Sequence, residues 1–272
     1  MFKKLLFSLS VLLIITSYAK VYFPNGVDAQ TIQQTPAQAK IVAWDIHDVL
    51  AQSQKWSKAG YAIKSLPTFG AGLWNLLNSK ITGNKNPMQD VWHDINKLPK
   101  KFGSSGEVYY HIFQKHNQPK LAKRVAKISN LYVPQPGMET VVQTLHANGI
   151  EQRLASNIGP VFFDRLRDTF KTKYNSQIFD YIQPGKIVDY NNLAQQEKVP
   201  ASIVTPFKKP LTGFYNDFNI AYNNNNNKLV IFIDDNKSNV QAAAKAGWIG
   251  IRFENVKQLK ADLATLGFAV TA

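Results

Sequence analysis

The chain contains no cysteine. That absence removes disulfides, cysteine nucleophiles, zinc–thiolate sites and iron–sulfur clusters from consideration. No apolar run reaches the ~20 residues that a membrane-spanning helix needs. No internal repeat is visible, and no RNA- or DNA-binding module can be recognised. Acidic residues are scarce, 18 against 32 Lys and Arg, giving a formal charge of +14. A basic balance favours anionic partners such as phosphorylated molecules, nucleic acid or acidic lipid, without choosing among them.

What is present is enough to fold. Of 272 residues, 44% are apolar and 12% aromatic, so a core can form and disorder is not the default. The length suits one domain of ordinary size with a smaller one inserted in it. At the N-terminus, Lys3 and Lys4 precede an apolar run from Leu5 to Ile15, then Thr16, Ser17, Tyr18 and Ala19. This is the pattern of a secretory signal peptide, with Ser17 and Ala19, or Val27 and Ala29, as the small residues before a cut. It predicts an exported protein, periplasmic or secreted, that touches membrane only if the segment stays uncleaved. Residues 20 to 38 lack periodicity and read as a linker. The division expected is thus 1–29 for signal and linker, 30–50 with 134–272 for the main domain, and 51–133 for an insertion.

The main domain alternates strand and helix. Ile41-Val42-Ala43-Trp44 is a short apolar strand that stops abruptly at Asp45. After Pro134 and Pro136 come a helix from Met138 to Ala147, a strand from Ile150 to Ala155, and a helix from Pro160 to Phe170. Strands at Ile178–Ile182, Leu229–Ile233 and Trp248–Phe253 follow, with helices at Leu211–Tyr222, Ser238–Ala246 and Val256–Leu266. Asn223 to Asn227 reads as a polar surface loop. This alternation predicts an α/β fold, a Rossmann-like parallel sheet with helices on both faces. The insertion repeats apolar residues at helical spacing (Leu73, Trp74, Leu76, Leu77; Val108, Ile112, Phe113; Leu121, Val125, Ile128) and is expected to be helical. It holds thirteen Lys or Arg against three Asp or Glu, either a solvated basic face or a guide for an anionic substrate.

In such sheets ligands bind beyond the carboxyl ends of the strands. Asp45 and Asp48 follow the first strand, Ser156 and Asn157 the second, and Asp234-Asp235 the apolar strand from Leu229. Lys208 and Lys209 precede the helix leading to that strand, and Lys186 is a competitor for the same role. Two or three carboxylates suit one hard divalent cation, and magnesium keeps positions for water and substrate phosphate. A lysine and a hydroxyl suit phosphate oxygens, and a carboxylate can act as nucleophile.

Four segments, IVAWDIHDVL (41–50), LASN (154–157), KKP (208–210) and VIFIDDNKSN (230–239), resemble the ordered motifs of the haloacid dehalogenase superfamily. The likeness spans residue 40 to about 265 and places a helical cap at 51–133. It implies Asp45 as nucleophile and metal ligand and Asp235 as direct Mg2+ ligand, with Asp234 acting through water. It implies the backbone carbonyl of His47 as a further ligand and Ser156, Asn157 and Lys209 as the phosphate-binding set. Asn157 and Asn239 would orient the site. The expected activity is hydrolysis of a small phosphorylated substrate through an aspartyl-phosphate, with no nucleic acid as partner.

His47 departs from that pattern. Phosphatases of the superfamily usually carry a second Asp there as general acid and base. An imidazole can also give and take protons. Three readings follow: His47 replaces the Asp, His47 supplies only its backbone, or the chain is a catalytically degenerate binding protein. Asp48 reads as a cap or hydrogen-bond partner. Dehalogenases of the superfamily differ again at this position, and nothing in the sequence points to a halogenated substrate.

Overall fold

The computed structural model describes residues 20–53, 90, 91, 93, 94, 106–188, 208–224 and 228–270. The signal segment 1–19 and most of the insertion, with Leu73, Trp74, Leu76 and Leu77, lie outside the described residues.

In chain order the described elements are β1 (Val21–Tyr22), α1 (Ala29–Gln34), β2 (Lys40–Trp44), β3 (Ala51–Ser53), α2 (Gly106–Lys115), α3 (Pro119–Ala126), β4 (Tyr132–Pro134), α4 (Met138–Ala147) and β5 (Glu151–Ala155). Then come α5 (Pro160–Tyr174), β6 (Gln183–Lys186), α6 (Thr212–Tyr222), β7 (Leu229–Asp234), α7 (Lys237–Lys245), β8 (Ile249–Arg252) and α8 (Val256–Thr265). Six strands form one sheet in the order β1-β8-β7-β2-β5-β6. Every pair is parallel except β1 with β8. The fold is the Rossmann-like α/β sheet flanked by helices that the sequence predicts.

The order explains the sequence pattern. β2 lies between β7 and β5, and all five of its residues are buried. A strand covered on both faces needs a continuous apolar run rather than alternation. From β2 the chain proceeds outward through β5 and β6, then returns to the other side of β2 for β7 and β8. That reversal is a topological switch point, and it opens a crevice at the carboxyl end of β2. Trp44, Trp248, Tyr215, Phe218 and Phe232 are fully buried, and Trp248 meets Tyr215, Phe218 and Phe232 edge-on with ring centroids 4.8–5.8 Å apart.

The structure corrects three sequence readings. The presumed linker 20–38 holds β1, which pairs with β8, and α1, whose Asp28 carboxylate accepts from the Thr31 N–H at 2.8 Å. Ile32 of α1 is fully buried. These elements are too short to show periodicity. The strand expected at Ile178–Ile182 is instead a 3-10 helix over Ile178–Tyr181, and the strand follows at Gln183–Lys186. Phe179 leaves the sheet to pack on Phe163 and Phe170, each with centroids 5.3 Å away. The actual strand, QPGK, has no apolar signal and stands at the sheet edge, where Pro is tolerated. Asn223, read as surface loop, is buried and holds both backbone groups of Lys228 at 3.0 Å.

The described part of the insertion is helical where expected, with Val108, Ile112, Phe113, Ala122 and Val125 buried. The chain enters and leaves the insertion through an antiparallel pair, β3 with β4, in the register Ala51↔Pro134 to Ser53↔Tyr132. Among the described residues no helix is long and apolar enough to cross a membrane.

Candidate active site

Register brings the site together. Trp44 pairs with Leu154 on one side and Ile233 on the other. One residue further along stand Asp45, Ala155 and Asp234, level with one another. The Asp45 N–H still donates to the Ile233 carbonyl at 3.0 Å, so the start of the Asp45 turn is an extension of the sheet.

Lys209 closes the crevice. Its ammonium donates to Asp45 Oδ1 at 2.8 Å, Asp234 Oδ2 at 2.7 Å and the Ala155 carbonyl at 2.7 Å. The three donors of an ammonium are thereby matched to three acceptors. Its side chain is 1% exposed. Burial alone pulls its pKa down, but Asp234 and Asp45 outweigh that and hold it above the ordinary lysine value. Lys186, the competitor, donates to Asp217 at 2.7 Å instead.

Asp234 is fully buried and also accepts from the Asn236 N–H at 2.8 Å and the Asn239 amide at 3.0 Å. Tyr215 supports Asn239 by donating to its carbonyl at 2.8 Å. Asn157 grips the backbone of Lys209 from both sides, accepting from its N–H at 2.9 Å and donating to its carbonyl at 3.2 Å. Its amide therefore fixes the lysine backbone in place, as the expected orienting role requires. Ser156 is fully buried at the end of β5, and its N–H donates to the Lys186 carbonyl at 3.0 Å.

Asp235 differs from its neighbour. It is only half-buried, and burial, then Asp234, Asp45 and Asp48, push its pKa up to about 6. One carboxylate oxygen each from Asp45, Asp234 and Asp235 lie within 4.8 Å of one another. Three carboxylates against one lysine leave surplus negative charge in a partly desolvated place. The donors are all hard oxygens, and the surplus is of the size one divalent cation neutralises, so the residues fit magnesium.

The loop after Asp45 is tightly built. Asp48 adopts φ 59°, a left-handed conformation that Asp tolerates. Its N–H donates to the Ala51 carbonyl at 2.7 Å, and its carboxylate accepts from the Ser53 N–H at 3.3 Å. His47 packs its ring on Tyr132 with centroids 4.7 Å apart and planes at 56°. Burial, then Asp48 and Asp45, push the Tyr132 phenol up to about 12. Sequence reasoning missed Tyr132. Its only available signal was its place just before the Pro134 that ends the insertion.

No family model and no curated protein matches the chain. Solved structures do resemble it. One is a HAD-family enzyme from Bacteroides thetaiotaomicron in complex with magnesium and inorganic phosphate, at 12% identity and TM-score 0.48, covering 81% of this chain and 98% of that one. A predicted HAD-like family hydrolase from Porphyromonas gingivalis has 13% identity and TM-score 0.47, covering 84% and 98%. The L-2-haloacid dehalogenase from Xanthobacter autotrophicus has 16% identity and TM-score 0.45, covering 83% and 82%. These three are a HAD-family enzyme, a predicted HAD-like hydrolase and a haloacid dehalogenase, and at such distance none of them carries a role to this chain's residues.

Proposed function

We propose that the chain is a magnesium-dependent hydrolase of small phosphate monoesters that works through an aspartyl-phosphate on Asp45. The observation that carries this reading is the buried Lys209 bridging Asp45 and Asp234, with the unmatched carboxylate of Asp235 beside them. Asp45 and Asp235 would hold the metal directly, with the His47 carbonyl, and Asp234 through water. When bound, magnesium supplies charge neutralisation, so that an anionic carboxylate can approach an anionic phosphate.

The remaining chemistry belongs to the chain. A carboxylate oxygen of Asp45 attacks phosphorus while the ester P–O bond breaks. The leaving alkoxide takes a proton from His47. Water then attacks the phosphorus of the aspartyl-phosphate, His47 takes a proton from that water, and inorganic phosphate leaves with Asp45 restored. Ser156 and Lys209 hold the non-bridging oxygens, Lys209 by exchanging one of its three protein acceptors for phosphate. As in the superfamily the sequence resembles, substrate choice would fall to residues of the 51–133 insertion. Its basic excess draws in the anion.

One observation favours a second reading, a degenerate binding member. The His47 ring is engaged by Tyr132, which would hold it off the leaving group. Wild type, His47→Ala and His47→Asp, each assayed on an activated aryl phosphate and an unactivated alkyl phosphate, separate the readings. An acid and base at His47 predicts a loss of about 10²–10⁴ in His47→Ala, concentrated on the alkyl ester. A silent His47→Ala means the residue gives only its carbonyl. Activity that arises only in His47→Asp establishes the degenerate member.

We further propose export directed by residues 1–19. Mature protein from its host beginning at or after residue 20 supports this. An intact Met1 on membrane-bound protein shows an anchor instead.

A further inference from the structure

Pro160 opens α5 and has no N–H to offer, and Gly159 before it supplies no side-chain cap. The first two free N–H groups of the helix, on Val161 and Phe162, would be orphaned in a buried place. They are met from far away in the chain. Glu107, in the first turn of α2, accepts from Val161 N–H with Oε1 at 3.0 Å and from Phe162 N–H with Oε2 at 3.1 Å. The glutamate is 1% exposed. His111, one turn along, brings Nε2 to 3.5 Å from Oε1. Gly159 is part of the same contact. Its backbone is extended (φ −96°, ψ 167°), open to any residue, yet a Cβ there would overlap the Glu107 carboxyl group.

The loop held in this way is the one that carries Ser156 and Asn157. Upstream it is fixed by Ser156 N–H on the Lys186 carbonyl at 3.0 Å and by Asn157 on the Lys209 backbone. Downstream, the Ile158 carbonyl accepts from Val188 N–H at 2.9 Å, and Glu107 holds the start of α5. A carboxylate on a helix N-terminus is also favoured by the helix dipole.

We propose that Glu107 is a positioning residue that clamps the insertion to the core and fixes the Ser156–Gly159 loop through the N-terminus of α5. Its effect on phosphate rests on the phosphohydrolase reading above, whereas its effect on the loop does not.

The full chain is compared with Glu107→Ala, Glu107→Gln, Gly159→Ala and the Glu107→Ala/Gly159→Ala double variant. Amide hydrogen exchange over 156–162 and calorimetric binding of inorganic phosphate with magnesium are measured for each. In Glu107→Ala, exchange rises at Val161 and Phe162 and also at Ser156 and Ile158, and phosphate binds about tenfold more weakly. Glu107→Gln, which keeps the shape but only one acceptor oxygen, falls between. Gly159→Ala reproduces the loss with Glu107 present and adds nothing in the double variant. Ile112→Ala, a cavity in the same helix, lowers thermal stability without changing phosphate affinity.

Exchange confined to Val161 and Phe162 overturns the proposal, as does unchanged phosphate affinity in Glu107→Ala while wild type binds. Either result makes Glu107 a plain helix cap. If wild type binds no phosphate, the phosphohydrolase reading fails, and exchange at Ser156 and Ile158 alone decides for or against the clamp.

Discussion

At the amino-terminal ends of the strands, Glu151 sits between Arg153 and Lys228, each 2.5 Å away and all three partly exposed. At the carboxyl ends, Lys209 sits among Asp45, Asp234 and Asp235, buried and outnumbered. Both clusters mix acids and bases within hydrogen-bond reach. The first sets one acid against two bases and stays partly exposed to solvent, so its surplus charge is hydrated and the pairs contribute little. The second is desolvated and left with excess negative charge, which is unfavourable for the isolated fold and suits a divalent cation.

The sharpest break in this comparison is Asp45→Asn. It is nearly isosteric and leaves Lys209 paired with Asp234, so the fold should survive with stability within about 1 kcal/mol of wild type. Turnover of any phosphate ester should fall below a hundredth of wild type, about 2.7 kcal/mol of barrier. Retained activity would remove Asp45 as the nucleophile. Next in size is Lys209→Met, which strands two buried carboxylates. Chemical denaturation should show a loss of about 3–5 kcal/mol, the usual result of breaking a buried pair from one side. A loss under 1 kcal/mol would mean that the crevice is wetter than its geometry indicates.

Metal affinity should separate the two adjacent acids. Asp234→Ala should weaken magnesium binding by about 10–100-fold, the usual loss for the indirect role proposed for it, and Asp235→Ala by more. Calorimetric titration checks this, and equal losses would make both direct ligands. The smallest effect belongs to the other end. Lys228→Ala should cost under ~1 kcal/mol at neutral pH. Burial raises the Glu151 pKa, but Lys228 and Arg153 lower it by more, so the folded value lies below the ordinary one. A depressed carboxylate stabilises the fold above its unfolded pKa of about 4.3 and loses that stabilisation as pH falls through the folded value. Unfolding curves of wild type and Lys228→Ala should therefore converge below about pH 4.

The centre of the sheet was legible because β2 and β7 are covered on both faces and read as nearly unbroken apolar runs. β2 and β7 fall within a residue of the sequence reading. The edges were not legible. β6 is Gln-Pro-Gly-Lys, and β1 is two residues long, so neither carries a period. At the site, Asp45, Ser156, Lys209 and Asp234-Asp235 could be picked out because each follows or precedes a recognisable element. What the sequence could not reveal was contact across distance. Nothing in the chain marks Glu107 as the partner of Val161, because a helix cap supplied 54 residues away has no local pattern. Tyr132 was equally silent, since its tilted ring contact with His47 depends on the β3–β4 pairing.

That pairing has a consequence for length. Ser53 and Tyr132 face each other across an antiparallel ladder, where partner Cα atoms stand about 4.5–5.5 Å apart. Two residues so placed can be joined by a short turn as readily as by a whole inserted module. The core therefore imposes no length on what lies between them, only that it start and finish at the same spot. Ser53 and Tyr132 are thus a splice point: the insertion can grow, shrink or be exchanged without altering the path of the sheet, and what such an exchange would forfeit is the hold of Glu107 on α5.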